Sequence, residues 1–242
     1  MKNASKVDKQ PIKAIIFDFD DTLVSTSSVY KTLRSRLNAF GKKHYGISNV
    51  GDAMDISDKF FSTTVKKRKI QDHDRVKWAA IAGEKLGVHF TQKQCKELSD
   101  EYWRAFFEHT IPLPYAKEVL SKLKKDYLIF LLSDSDGAPS IKMKRIRLSG
   151  LYKYFDDFST GDKLNVTKPD ILYYSYLLKK YKLKGKECIM VGDRPPHDLE
   201  FAKRVGMHTV WIQQGLWQKL YKKKLSYVDY IIKNLKGVLD IL

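Results

Sequence analysis

Five short apolar runs constrain this chain more than any other feature: Ala14–Phe17, Tyr127–Leu132, Tyr154–Phe158, Cys188–Val191 and His208–Ile212. Each is continuous rather than alternating, as expected of a strand buried on both faces. Helical patterns lie between the later runs, at Tyr115–Lys125, Ile141–Ser149, Asp170–Tyr181 and Asp198–Val205, most of them opened by proline or by a capping Asp or Ser. Strand and helix alternate, which predicts an α/β fold whose parallel sheet is doubly wound, Rossmann-like, with helices on both faces.

The interval Leu23–Ile111 breaks the alternation. It carries helical patterns at Val29–Tyr45, Asp74–Leu86 and Thr91–Phe107 and no convincing strand, and it is too long for a crossover. Residues 1–23 and 112–242 are therefore expected to form the core, and 24–111 an inserted helical unit that returns at Pro112 and Pro114. Within it, Asp74 is expected to cap a helix.

At 242 residues with two cysteines, Cys95 and Cys188, the chain needs no disulfide staples and reads as a reduced, intracellular protein. Met1–Gln10 is polar, without the apolar centre of a signal peptide, and no run is long enough to span a bilayer, so a cytoplasmic protein without membrane partners is expected. A net charge of +17 favours anionic partners in general, phosphorylated metabolites, nucleic acid or acidic membrane surfaces, and does not choose among them. The densest basic runs, Lys66-Lys67-Arg68-Lys69 and Lys222-Lys223-Lys224, are short and adjoin helix-like segments, as solvated helix faces do. Tyr173, Tyr174 and Tyr176 follow a helical spacing suited to packing rather than to stacking on bases.

In a parallel sheet, ligands gather outside the carboxyl ends of the strands, so the polar residues that close the apolar runs are the ones to collect. The first run ends in Asp18, Asp20, Asp21 and Thr22; the second in Ser133-Asp134-Ser135; the fourth in Gly192-Asp193, with Asp198 five residues on. Lys168-Pro169 stands at the start of the helix before the fourth strand. Asp18 and Asp20 share a face if the backbone stays extended, and a metal or a phosphoryl group would explain the crowding. A carboxylate at a strand tip can attack phosphorus. Asp20 can protonate the leaving oxygen and later take a proton from water. Mg²⁺ suits hard oxygen ligands beside a phosphate. Asp21 and Thr22 are expected to stabilise the turn locally.

In this order the pieces resemble the haloacid dehalogenase superfamily, whose pattern is DxDxT, a Ser or Thr after a strand, a Lys, and GDxxxxD; the helical insertion resembles that superfamily's C1 cap. The resemblance covers about Ile12–Ile212. It implies Asp18 as nucleophile and Mg²⁺ held by the Asp18 carboxylate, the Asp20 backbone carbonyl and Asp193, with Asp198 helping directly or through water. It also implies that Ser133 donates to a phosphoryl oxygen and that Lys168 balances the negative charge. For Asp198, helix capping and metal support both stand.

The chain departs from the pattern where His197 replaces a common Asn, where Arg194-Pro195-Pro196 stiffens the loop, and where Asp134 follows Ser133 in place of Asn. Asp134 adds negative charge, which would favour metal-bound or basic substrate groups. The superfamily spans several reactions. A dehalogenase needs no acid at Asp20, and a P-type ATPase needs membrane helices. Phosphonatase, phosphomutase and dehalogenase chemistry stay as alternatives, as does a basic nucleic-acid-binding protein or nucleic-acid end phosphatase. The simplest expectation is Mg²⁺-dependent hydrolysis of a small phosphomonoester through an aspartyl-phosphate. Arg34, Lys66, Arg68, His73 and Arg75 are candidate substrate contacts from the cap.

Overall fold

The computed structural model describes residues 11–55, 70–214, 218 and 225–242. Strands β1 (Ala14–Phe17), β2 (Leu128–Ser133), β3 (Asp157–Thr160), β4 (Cys188–Gly192), β5 (His208–Ile212) and β6 (Tyr230–Ile232) form a six-stranded sheet in the order β3-β2-β1-β4-β5-β6. Every neighbouring pair is parallel. β1 lies between β2 and β4, with Phe17 level with Leu131 and Val191. The three strand tips that carry the acidic and hydroxyl residues therefore end side by side.

Between β1 and β2 run helices α1 (Ser27–Tyr45), α2 (Arg75–Lys85) and α3 (Gln92–Glu108). Local chemistry starts each one. Asp21 Oδ1 accepts the N–H groups of Thr26 and Ser27 at 2.9 and 2.8 Å, which satisfies the open end of α1. Asp74 accepts the Val76 N–H at 2.9 Å, the predicted cap, and Thr91 and Gln94 close a capping box on α3. The helices bury Leu33, Leu37, Trp78, Leu98, Tyr102 and Phe106 in an apolar cluster of their own. Arg75 lies within that cluster, 3.8 Å above the Trp78 ring and flanked by Tyr102 and Trp103. It and His73 are buried, and Arg34 pairs with Asp52 at 3.5 Å on the outside. Lys66 and Arg68, with the basic runs 66–69 and 222–224, lie outside the described residues.

From α4 (Ala116–Leu123), which leads into β2, strand and helix alternate as expected through α5 (Pro139–Leu148), α6 (Leu172–Lys180) and α7 (Pro195–Arg204) to β5, and α8 (Gly237–Ile241) follows β6. The period of two sorts the strand residues cleanly. Ile15, Phe17, Ile129, Leu131, Ile189 and Val191 pack with α4, Ile146 of α5 and α8, while Ala14, Ile16, Phe130, Leu132 and Met190 pack with α6 and α7. Tyr173 and Tyr174 are fully buried in the second layer, as their spacing predicts.

Two elements differ from expectation. The third run begins in a 3₁₀ turn at Tyr152–Tyr154, and β3 itself runs on through Ser159 and Thr160. Its hydroxyls are internally satisfied, Ser159 Oγ donating to the Tyr173 carbonyl at 2.8 Å, so polar residues continue the strand without cost. β6 has no counterpart among the apolar runs because it is three residues long and Ile231 in its middle is exposed. No helix among the described residues is long and apolar enough to cross a membrane. Leu131→Ala, in the wholly buried centre of β2, is expected to lower unfolding free energy by about 2–5 kcal/mol, seen as a lower urea midpoint with an unchanged slope.

Candidate active site

β1 delivers Asp18 to the centre of the sheet's carboxyl edge, where its N–H donates to the Val191 carbonyl at 2.9 Å and continues the ladder one residue past the strand. Asp18 is buried, and Lys168 Nζ donates to its Oδ1 at 2.5 Å. The same ammonium donates to Asp198 Oδ1 at 2.8 Å. Lys168 reaches this point because Asp134 anchors its backbone. Asp134 Oδ1 accepts the Lys168 N–H at 2.7 Å and the Tyr173 hydroxyl at 2.9 Å, next to a cis Lys168–Pro169 bond. The carboxylate expected to attract basic substrate groups is thus spent on holding the lysine.

Asp193 follows β4, and its Oδ1 accepts from Thr22 Oγ1 at 3.5 Å, so Thr22 acts across the sheet rather than within its own turn. Asp198 is in the first turn of α7, which starts three residues earlier than its apolar pattern because Pro195 suits the first helical position. Its Oδ2 accepts the Arg194 N–H at 3.0 Å, which ties down the start of α7, while its Oδ1 accepts from Lys168. Gly192 makes this possible: a Cβ there would lie 2.5 Å from Asp198 Oδ2. His197 is buried, its carbonyl accepting from the Tyr174 hydroxyl at 3.1 Å.

Asp18, Asp193 and Asp198 each bring a carboxylate oxygen within 4.8 Å of the others, all three buried. Burial pushes the Asp18 carboxyl up to about 7, with Lys168 pulling the other way. Burial, together with the carboxylates of Asp198 and Asp18, holds Asp193 well above the ordinary range. Burial also opposes the charge on Lys168, but Asp18 and Asp198 outweigh it and raise its pKa well above normal. Asp193 Oδ2 is buried without a hydrogen-bond partner, and the donors are all hard oxygens. One ammonium against three buried carboxylates leaves a deficit of positive charge that a divalent cation fits. Ser133 Oγ, at the tip of β2, is likewise buried without a partner.

Asp20 has a different environment. Its carboxylate is 32% exposed, yet Lys142 Nζ donates to Oδ2 at 2.6 Å, Thr26 Oγ1 donates to Oδ1 at 2.6 Å, and Arg145 Nη2 pairs closely with Oδ1. Burial would raise its pKa, but Arg145 and Lys142 overcome this and hold the carboxyl well below the usual range. Lys142, Arg145 and their support Asp136 escape a reading of strand ends. No local signal points to them, since a Lys and an Arg three residues apart on a helix are surface residues by default.

The chain belongs to the haloacid dehalogenase-like hydrolases, whose family model matches residues 12–206. It is similar to the glyceraldehyde 3-phosphate phosphatase of Pyrococcus furiosus, 29% identical over 232 residues that cover 96% of this chain and 93% of that one. It is also similar to the pyrimidine 5'-nucleotidase PynA of Streptococcus pneumoniae, 22% identical over 94% of this chain and 95% of that one. The fold matches that of the magnesium-bound HAD-hydrolase YfnB from Bacillus subtilis with a TM-score of 0.72 at 19% identity, covering 96% and 99% of the two chains. Hydrolases of this family generally use a divalent metal, in keeping with the charge deficit around Asp193.

A divalent cation is therefore expected to raise the midpoint of thermal unfolding, by about 2.7 kcal/mol of stabilisation at a hundredfold excess over Kd. Asp193→Asn should abolish that rise, and Gly192→Ala, by displacing Asp198, should weaken cation binding by about tenfold in titration calorimetry.

Proposed function

We propose that this chain is a Mg²⁺-dependent phosphatase that hydrolyses a small phosphorylated metabolite through an aspartyl-phosphate on Asp18. The observation that carries the reading is the Asp18–Lys168 pair at the tip of the central strand, with an acid-base carboxylate, Asp20, two residues further on. The phosphatase and nucleotidase relatives support it, since both act on phosphomonoesters by name.

In this reading an Asp18 oxygen attacks phosphorus and the ester P–O bond breaks as Asp20 protonates the leaving oxygen. Asp20 then takes a proton from the water that attacks the aspartyl-phosphate, the bond to Asp18 breaks, and phosphate departs. Lys142 and Arg145 keep Asp20 ionised at rest. The first proton therefore enters with the substrate, whose second ionisation falls near about 6. Ser133 donates its unpartnered hydroxyl to a phosphoryl oxygen, and Lys168 offsets the charge of nucleophile and phosphate. Mg²⁺, held by the carboxylates of Asp18, Asp193 and Asp198 and the Asp20 carbonyl, would supply further neutralisation of these anions and of the phosphoryl oxygens. Residues 24–111 act as the cap that closes over the strand ends and selects the leaving group.

Phosphate release from glyceraldehyde 3-phosphate, a pyrimidine nucleoside 5'-monophosphate and 4-nitrophenyl phosphate, each with Mg²⁺ or with a chelator, tests this. Asp18→Asn should lower turnover by at least about 10³-fold with an unchanged circular dichroism spectrum. Turnover retained in that variant would overturn the nucleophile.

A further inference from the structure

We infer that Lys142 and Arg145, on one face of α5, are positioning residues for Asp20, with Asp136 as the fixed point behind them; the inference rests on the phosphatase reading above. The two cations are 1% and 2% exposed, a rare degree of burial for Lys and Arg unless they are paired. Each spans the same two carboxylates. Lys142 Nζ is 2.6 Å from Asp20 Oδ2 and 3.0 Å from Asp136 Oδ1; Arg145 directs Nη2 at Asp20 Oδ1 and Nη1 at Asp136 Oδ2, the latter at 3.0 Å. Thr26 adds a hydroxyl to Asp20 Oδ1 at 2.6 Å.

Such an arrangement does more than neutralise charge. A lone aspartate at a strand end, a third exposed, turns freely about its side-chain bonds. Here both oxygens are fixed from one side by donors that cannot move, because they are buried and tied to Asp136. The Phe19 ring lies 5.7 Å from Lys142 Nζ and 5.5 Å from the Arg145 guanidinium, and Phe106 of α3 lies 5.1 Å from that guanidinium. Aromatic rings from the strand end and from the helical insertion thus hold Arg145 in place. A buried ion network of this kind is poorly explained by stability alone, since apolar residues of similar size commonly serve as well. It is explained by the need to hold one carboxylate of the reacting pair at a fixed place beside Asp18, where small displacements are costly in rate.

A double-mutant cycle reads this directly. Lys142→Met and Arg145→Met are expected to lower kcat for glyceraldehyde 3-phosphate by about 10–100-fold with KM within about threefold. Arg145→Lys should recover part of the loss. Measured on 4-nitrophenyl phosphate, whose leaving group needs little protonation, the same changes made in an Asp20→Asn background should cost less than about twofold, because the group they position is gone. Losses that multiply in full in that background would show a general scaffolding role and overturn the inference while leaving the phosphatase reading intact. Asp136→Asn touches both cations and not Asp20, so it serves where Arg145→Met fails to fold. It should lower kcat without moving KM, and an unchanged kcat would overturn the inference. No turnover of any phosphomonoester by the unaltered protein would overturn both.

Discussion

The Lys168 ammonium is the charge on which the strand-end cluster depends. Without it, Asp18 and Asp198 would meet in a buried space with no counter-charge, and like carboxylates so placed cannot all ionise. Its position is in turn a product of the fold. Asp134 at the end of β2 and Tyr173 from α6 fix the lysine's backbone, so a residue far from Asp18 in sequence meets it at 2.5 Å. The ends of three neighbouring strands, one loop and the first turn of α7 contribute the cluster's groups. The parallel sheet makes them converge, because all its strands end on the same edge.

That convergence also explains which parts were legible in the sequence. Asp18, Ser133, Lys168, Asp193 and Asp198 each close an apolar run or open a helix, and a residue so placed can be located from pattern alone. The continuous runs of β1, β2, β4 and β5 are equally plain because both faces are buried. β6 was illegible because three residues with an exposed centre leave no pattern, and β3 was displaced because its end is polar yet internally hydrogen-bonded.

Lys142, Arg145 and Asp136 were illegible for a different reason. A lysine and an arginine on a helix are surface residues by default, and nothing local marks these as buried. Only the packing of α5 between the end of β1 and the Phe106 face of α3 turns them inward. Asp134 misled in the opposite sense. Its charge beside Ser133 was visible, but its partners, the Lys168 N–H and the Tyr173 hydroxyl, come from 34 and 39 residues away.

The two carboxylates of the opening motif show how environment divides a pair of identical side chains. Asp18 is buried among other carboxylates with one shared lysine, and burial lifts it to about 7; Asp20, two residues on, has two cations and a hydroxyl and is held far down. A nucleophile must be ionised, so the environment of Asp18 is suited to its proposed task only when further positive charge joins Lys168. Asp193 Oδ2, buried without a hydrogen-bond partner, is an oxygen that such a charge would meet in the proposed reaction. Asp20 needs no such help to remain ionised, but the two cations that keep it so also make it a weaker base, so its proposed acid-base role calls for a bound substrate that offsets the pull of Lys142 and Arg145. In the proposed reaction the proton for the leaving group would enter on the monoanionic form of the phosphomonoester, the minor form at neutral pH.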